Sequence, residues 1–178
     1  MRRFFILSAI GRDRPGLVAE LAQLIFDCDA NLEDSRMTIL GSEFAVILLA
    51  SAGDERAEAA LAAGAKRLER DHGLTILLRP VSGAPRPAVP APGTRLRRVV
   101  AAGEDRAGIV AGVCRVLAEH GANIAELSSV ARPGPGGSPH FEMTVTVEVP
   151  EGTAESALRA ALQQEADRLV VDVAILSA

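Results

Sequence analysis

G-R-D-R-P-G-L-V-A-E-L, Gly11 to Leu21, returns ninety-two residues later as G-E-D-R-A-G-I-V-A-G-V, Gly103 to Val113. At that offset Gly11, Asp13, Arg14, Gly16, Val18, Ala19, Ala30 and Asn31 meet identical residues at Gly103, Asp105, Arg106, Gly108, Val110, Ala111, Ala122 and Asn123. Leu17 meets Ile109 and Leu32 meets Ile124. The apolar stripe repeats with the identities. Leu17, Val18, Leu21, Leu24, Ile25 and Cys28 follow the spacing of one buried helix face, and Ile109, Val110, Val113, Val116, Leu117 and His120 hold the same register. Identity and periodicity kept together mean a duplicated structural unit.

Working outward from the loop gives the order of elements. In the first copy, Arg3 to Ile10 reads as a strand and Arg14 to Cys28 as a helix. Leu32 to Leu40 and Glu43 to Ser51 read as strands joined by a tight Gly41-Ser42 hairpin. Asp54 caps a second helix that reaches about Asp71, Gly73 stops it, and Leu74 to Arg79 is the last strand. The second copy gives strand 96–102, helix 106–120, strands 123–132 and 139–149, helix 153–168 and strand 170–176. Phe141, Met143, Val145, Val147 and Val149 alternate with Glu142, Thr144, Thr146 and Glu148, the pattern of a half-solvated antiparallel strand. The expected fold class is α+β. It consists of two ferredoxin-like β-α-β-β-α-β domains, each a four-stranded antiparallel sheet with two helices on one face.

A chain of 178 residues suits two such domains. The expected boundaries are residues 1–80 and 95–178. The run V-S-G-A-P-R-P-A-V-P-A-P-G-T, Val81 to Thr94, is the linker; its four prolines favour extended geometry. At about 3.1 Å per residue it could span roughly 40 Å.

Composition narrows the function. The net charge is −4, and R-L-R-R at Arg95 to Arg98 is the one local basic cluster, read as the exposed start of a strand. Direct grip on nucleic acid needs a concentrated excess of Lys and Arg, so none is expected. Cys28 and Cys114 lie far apart in apolar helical patterns, with no metal spacing, and read as buried thiols of a reducing compartment. No apolar run is long enough to cross a membrane, and the basic-apolar start lacks a cleavage site. The expectation is a cytoplasmic protein without membrane contact.

An enzyme would need a constellation that is missing. His72 and His120 each precede a glycine at a helix end, where a cation suits the dipole, and His140 begins a strand beside Glu142. Glu33 and Asp34 look like paired acids, but neighbours on a strand point to opposite faces. No nucleophile triad, phosphate loop or metal cluster is expected, hence no catalytic residue, metal or cofactor.

The repeated loop is the candidate site. It leaves a strand and opens a helix, whose first amides lack intrahelical partners and favour a carboxylate or phosphate. Asp13 can cap that helix, Pro15 fits its first turn, Gly11 permits a sharp turn, and Gly16 leaves room for a close approach. Asn31 follows the helix with an amide that both donates and accepts. The same residues also suit an ordinary helix start, a close helix contact and a left-handed turn.

D-R-P-G-L-V-A, the apolar helix and then A-N-L resemble the ACT domain, a small amino-acid-binding regulatory module with this fold, and the resemblance covers both halves. C-D-A-N-L-E-D-S-R-M-T-I-L-G-S-E-F-A-V-I-L-L-A-S, Cys28 to Ser51, with the P-R-P-A-V-P linker and A-N-I-A-E-L-S-S, Ala122 to Ser129, resembles the glycine cleavage system transcriptional repressor family. That resemblance implies a non-catalytic regulator that binds glycine or a serine-like small amino acid. It implies oligomers through ACT sheet pairing, and action through a DNA-binding transcription activator as protein partner. Carried over by motif, the ligand residues are Gly11, Asp13, Arg14, Pro15, Gly16 and Leu17, with Asn31 and Leu32 facing them. In the second copy they are Gly103, Asp105, Arg106, Gly108 and Ile109, with Asn123 and Ile124. Loop amides would hold the ligand carboxylate, and Asn31 with Asp13 its ammonium. The second copy departs from the motif: Ala107 replaces the proline, A-E-L-S replaces E-D-S-R, and a longer hairpin, Arg132 to Pro139, replaces Gly-Ser. Two alternatives stand beside this reading. One is an ACT sensor of another amino-acid pathway, since the loop also resembles the regulatory segments of formyltetrahydrofolate deformylase and some phosphoserine phosphatases. The other is a ligand-free dimerisation module.

Overall fold

Alternating apolar residues along Phe5, Leu7 and Ala9 turn one face of the first strand inward, and the rest of the unit assembles on that face. The computed structural model describes residues 2–54, 56–83, 85, 90–134 and 138–177. The chain divides into two compact units, Met1–Arg86 and Pro87–Ala178.

Unit 1 comprises β1 (Arg3–Arg12), α1 (Leu17–Asp27), β2 (Ala30–Leu40), β3 (Glu43–Ala52), α2 (Arg56–His72) and β4 (Thr75–Val81). Unit 2 repeats the series with β5 (Thr94–Glu104), α3 (Ile109–Glu119), β6 (Asn123–Pro133), β7 (Pro139–Pro150), α4 (Glu155–Leu169) and β8 (Val171–Ser177). The sheets run β2-β3-β1-β4 and β6-β7-β5-β8, every neighbouring pair antiparallel. This is the expected α+β, ferredoxin-like sandwich, twice.

Each core lies between the inward sheet face and both helices. In unit 1, Phe5, Leu7, Phe44, Val46 and Leu48 meet Leu17, Leu21, Ile25 and Leu61. In unit 2, Val99, Met143, Val145 and Val147 meet Ile109, Val113, Leu117, Leu158 and Leu162. Asp54 does cap α2, accepting from the Arg56 amide at 3.0 Å.

Helices α1 and α3 start at Leu17 and Ile109, where the apolar stripes begin, three residues later than the expected starts at Arg14 and residue 106. Gly16 and Gly108 precede them with φ of 94° and 98°, and neither helix carries a side-chain cap, so Asp13 is not a cap. Those dihedrals match the third position of a type II turn, where Pro-Gly is the favoured central pair. Arg14-Pro15-Gly16-Leu17 is therefore a turn feeding the helix rather than its first turn.

The basic run is not simply solvated. Arg97 sits 3.0 Å and Arg95 3.9 Å from Glu155 in the first turn of α4, and Arg95 also donates to the Thr153 carbonyl at 2.7 Å. These contacts tie the start of α4 to β5. Cys28 and Cys114 are half-buried, and burial pushes both thiols up from their ordinary range. Five residues of the proline-rich run, 84 and 86–89, and residues 135–137 of the second hairpin lie outside the described residues.

Two features position the site. First, β2 and β6 are edge strands, and apart from half-buried Ala30 every residue of β2 is exposed. Second, both edges carry a bulge at the same place, Glu33 between Leu32 and Asp34, and Ala125 between Ile124 and Glu126.

Candidate functional site

The loop Asp13–Gly16 is latched at its start. The Asp13 amide donates to the Ser42 carbonyl at 2.8 Å, and in unit 2 the Asp105 amide donates to the Pro139 carbonyl at 3.0 Å. The first repeating bonds of the helices run from the Glu20 amide to the Gly16 carbonyl and from the Gly112 amide to the Gly108 carbonyl. The amides of Leu17, Val18 and Ala19 precede that bond and point out of the helix start, as every helix leaves its first amides. Beside them lies an open hollow of about 470 Å³ lined by Asp13, Arg14, Gly16, Leu17, Val18, Ala19, Ala22, Met37 and Phe44. It sits between α1 and the exposed edge of the sheet. Val18, read from its spacing as core, is 46% exposed and forms part of the wall.

The charged residues of the loop have distinct fates. Arg14 is clamped on Glu20 by two hydrogen bonds of 2.8 and 2.6 Å, and Glu20 is also 3.2 Å from His72 Nε2. The bond from Arg14, with smaller help from the His72 charge, holds the Glu20 carboxyl below its usual range. The Arg14 guanidinium is thereby engaged, and His72 joins a side-chain network as well as ending α2. Arg106 is held on Glu104 at 2.6 Å. Asp13 and Asp105 are exposed and make no side-chain hydrogen bond among the described residues.

Several predicted site residues are structural instead. Leu17 and Ile109 are 2% and 1% exposed, so only their amides face outward. Gly11 lies within β1 rather than in a turn, and a Cβ there would stand 2.6 Å from Leu74 Cδ2. At Gly103 it would stand 2.9 Å from Val171 Cγ1 and 3.1 Å from its Cα. Both glycines exist so that the last strand of each sheet can pass closely. Gly16 is the opposite case: a Cβ there would meet nothing nearer than 3.7 Å, so its positive φ, not crowding, requires glycine.

Within one unit, Asn31 and the loop are not brought together. Gly11 is opposite Phe44 on β3, whereas Asn31 is opposite Ser51, seven residues along the same strand, or about 23 Å. A site using both needs a second unit. Leu32 is partly exposed on β2, while Ile124 packs against the core of unit 2.

Around Asn31 the structure assembles a polar cluster that alternation along the strand did not reveal. Asn31 Nδ2 donates to Glu33 Oε1 at 2.9 Å, Ser51 Oγ donates to the same oxygen at 2.5 Å, and Arg2 pairs with it. Ser51, then Asn31 and Arg2, hold the Glu33 carboxyl below its usual range. The bulge breaks the two-residue alternation, so Glu33 shares a face with Asn31 and Asp34 instead of opposing Asp34. In unit 2 the bulge residue is Ala125 and the carboxylate comes from the next strand. Asn123 Nδ2 donates to buried Glu148 at 3.1 Å, and the Ala91 amide donates to Glu148 at 3.3 Å. In both units a carboxylate therefore fixes the amide end of the asparagine, and its carbonyl oxygen, an acceptor, has no hydrogen-bond donor among the described residues.

No group of His, Cys, Asp and Glu among the described residues could hold a metal ion, and no helix among them is long and apolar enough to cross a membrane. His120 Nδ1 is bonded to the Val116 carbonyl at 2.8 Å at the end of α3.

Comparison with known proteins places this geometry. Profiles of the ACT domain match residues 3–78 and residues 98–166. The glycine cleavage system transcriptional repressor of Escherichia coli (strain K12) is 30% identical over 132 residues, covering 74% of this chain and 67% of that protein. A crystal structure of a protein of unknown function from Galdieria sulphuraria superposes with a TM-score of 0.81 at 31% identity, over 100% of this chain and 99% of that one. A crystal structure described provisionally as a glycine cleavage system transcriptional repressor has the same fold, with a TM-score of 0.71 at 20% identity over 98% and 96% of the two chains.

Proposed function

The chain belongs to the ACT-domain family, as a tandem ACT protein similar to glycine cleavage system transcriptional repressors, and from that premise we propose that it is a non-catalytic regulator that binds a small amino acid. The observation that carries the proposal is the first loop. A glycine-dependent turn presents the uncapped amides of Leu17, Val18 and Ala19 beside an open hollow at a sheet edge. Those amides suit a carboxylate. The exposed Asp13 carboxylate suits an ammonium group.

The other half of the site comes from a neighbour. Antiparallel pairing of two β2 edges carries the Asn31 end of each strand to the loop end of the other. It closes the open side of the hollow and brings the Asn31 end of the neighbour's β2 beside the loop. Every backbone group on the exposed edge of β2 then finds a partner. The ligand is glycine or a similarly small amino acid, because glycine has no side chain to accommodate and Met37 and Val18 narrow the hollow. Unit 1 is the sensor in this reading. In unit 2 the linker amide of Ala91 and the Asn123 side chain both converge on Glu148, and Ile124 is drawn into the core. Output passes through a protein partner, a DNA-binding activator, rather than through direct contact with DNA, in keeping with the net charge of −4.

Thermal unfolding against glycine, serine, alanine and larger amino acids tests this reading. A ligand at 100 times its dissociation constant adds about 2.7 kcal/mol. A shift with glycine that Asn31→Ala removes, while the variant stays folded, is the expected result. No shift with any amino acid sinks the sensor reading and favours a ligand-free pairing module.

A further inference from the structure

Asn31 and Asn123 are the two asparagines of the chain, and each stands at the start of the exposed edge strand of its unit. Both are held by a carboxylate, but the two units take that carboxylate from different strands. Asn31 lies opposite Ser51 and Asn123 opposite Glu148 at the same register, and the bulge that follows carries Glu33 in unit 1 and Ala125 in unit 2. Unit 1 therefore has its acid on the bulge and a hydroxyl across from the asparagine. Unit 2 has its acid across from the asparagine and a methyl group on the bulge. Neither unit carries an acid at both positions, where two like charges would share one site.

The donors around the carboxylate correspond as well. In unit 1, Ser51 Oγ at 2.5 Å, Asn31 Nδ2 at 2.9 Å and Arg2 converge on Glu33 Oε1. In unit 2, Asn123 Nδ2 at 3.1 Å and the Ala91 amide at 3.3 Å take one oxygen each of Glu148. Arg2 and Ala91 both belong to the stretch that leads into the first strand of a unit. A type II turn holds Ala91 in place, with the Thr94 amide on the Ala91 carbonyl at 3.0 Å and Gly93 at φ of 76°. A carboxylate as buried as that of Glu148, 7% exposed, costs desolvation that an apolar residue at the same register would avoid. A charge kept at one spot while the residues that supply it are exchanged has a role beyond packing.

We propose that Glu33 and Glu148 are one positioning residue supplied from two different strands. An ionised carboxylate only accepts, so it takes the amide nitrogen of the asparagine, and the planar amide then turns its oxygen away. The edge thereby presents an acceptor. It selects a ligand end that donates hydrogen bonds, an ammonium group, over one that only accepts them, a carboxylate. An asparagine held by nothing can flip and serve either. The proposal rests on the reading that a neighbour's β2 brings Asn31 to the ligand, and it fixes which way round an amino acid lies there: carboxylate on the loop amides, ammonium toward Asn31.

Isotope labelling of asparagine alone in the full chain, read by heteronuclear NMR, gives one side-chain amide pair for each of the two residues, assigned with Asn123→Asp. Glu33→Ala is expected to move the Asn31 pair to the position of a solvated amide and leave the Asn123 pair in place. It is also expected to weaken glycine binding by about tenfold, the worth of one hydrogen bond. Adding Ser51→Glu, which gives unit 1 the arrangement of unit 2, is expected to restore both. Circular dichroism shows whether each variant is folded. If a unit 1 variant is not, the reverse exchange reads the same effect on the Asn123 pair, lost in Glu148→Ser and restored by adding Ala125→Glu. The proposal is overturned if the Asn31 pair ignores Glu33→Ala, if Ser51→Glu does not bring it back, or if glycine binds Glu33→Ala as tightly as the wild type. Signals that behave as expected in a wild type that gives no response to glycine keep the positioning role and remove the sensor reading.

Discussion

Gly16→Ala isolates the device that shapes the loop. Gly16 has φ of 94° and ψ of −13°, and a Cβ built there lies 3.7 Å from Glu20 Oε1 and 3.9 Å from Arg14 Nη1, both ordinary contacts. Sterics with the surroundings therefore contribute nothing, and the whole cost is the backbone conformation. For an L-residue at positive φ that cost is about 1–2 kcal/mol. A unit of 60–100 residues loses roughly 4–8 °C of Tm per kcal/mol, so the transition of unit 1 falls by about 4–16 °C. The chain has no Trp or Tyr, so far-UV circular dichroism is the natural probe, with thermal and urea unfolding read together. Gly16→Asn is the control: asparagine tolerates positive φ, and its loss is expected to be the smaller of the two. If Gly16→Ala unfolds within about 0.3 kcal/mol of the wild type, the turn does not depend on glycine, and the account of how the helix-start amides are presented fails. A variant that survives with its turn remodelled is expected to lose the glycine-induced shift as well, since the amides of Leu17 and Val18 move with the turn.

Three further outcomes follow from the same geometry. Gly103→Ala, at a position that the motif suggests for ligand binding, is expected to cost about 1–3 kcal/mol of stability in urea unfolding by overpacking against Val171, whose Cα would lie 3.1 Å from the new methyl; unchanged stability refutes the packing role. Val170, β-branched and 59% exposed at φ of 57°, stands where unit 1 has Gly73 at φ of 65°. Relief of its strain outweighs the extra backbone entropy of glycine, so Val170→Gly is expected to stabilise the chain by up to about 1 kcal/mol, and a loss on urea unfolding counts against it. Glu165, buried at α4 beside Arg168 at 2.6 Å and Arg115 at 3.2 Å, has its carboxyl held below the usual range, first by the hydrogen bond from Arg168. A lowered folded-state pKa gives stability that is fully present above the unfolded value of about 4.3 and is lost as pH falls through the folded value. Glu165→Gln is therefore expected to flatten the decline of stability with acid, and an unchanged pH profile removes Glu165 from the acid response.

Much of the molecule was legible because its signals are local. Strand alternation in Phe5-Leu7-Ala9 and the helical stripe from Leu17 to Ile25 depend on backbone periods of two and 3.6, and the duplication repeats each signal. The Pro15-Gly16 pair also has the chemistry of a type II turn, although Asp13 just before it has the chemistry of a helix cap. What sequence alone did not reveal lies across the sheet. Gly11 is required by Leu74, more than sixty residues away, and Gly103 by Val171. Glu33 reaches Asn31 and Ser51 because a bulge shifts the strand by one residue, and nothing in E-D-S announces a bulge.

The sequence by itself determined the duplication, the element order, the α+β class and the family to which the loop belongs. Tertiary structure decided which of the repeated glycines serve packing, that Arg14 is occupied by Glu20, and that Asn31 and the loop lie at opposite ends of one unit. The division has one physical cause. Periodicity and turn chemistry act between neighbours in the chain, whereas register, bulges and close strand approach are set by residues that meet only when the sheet has formed.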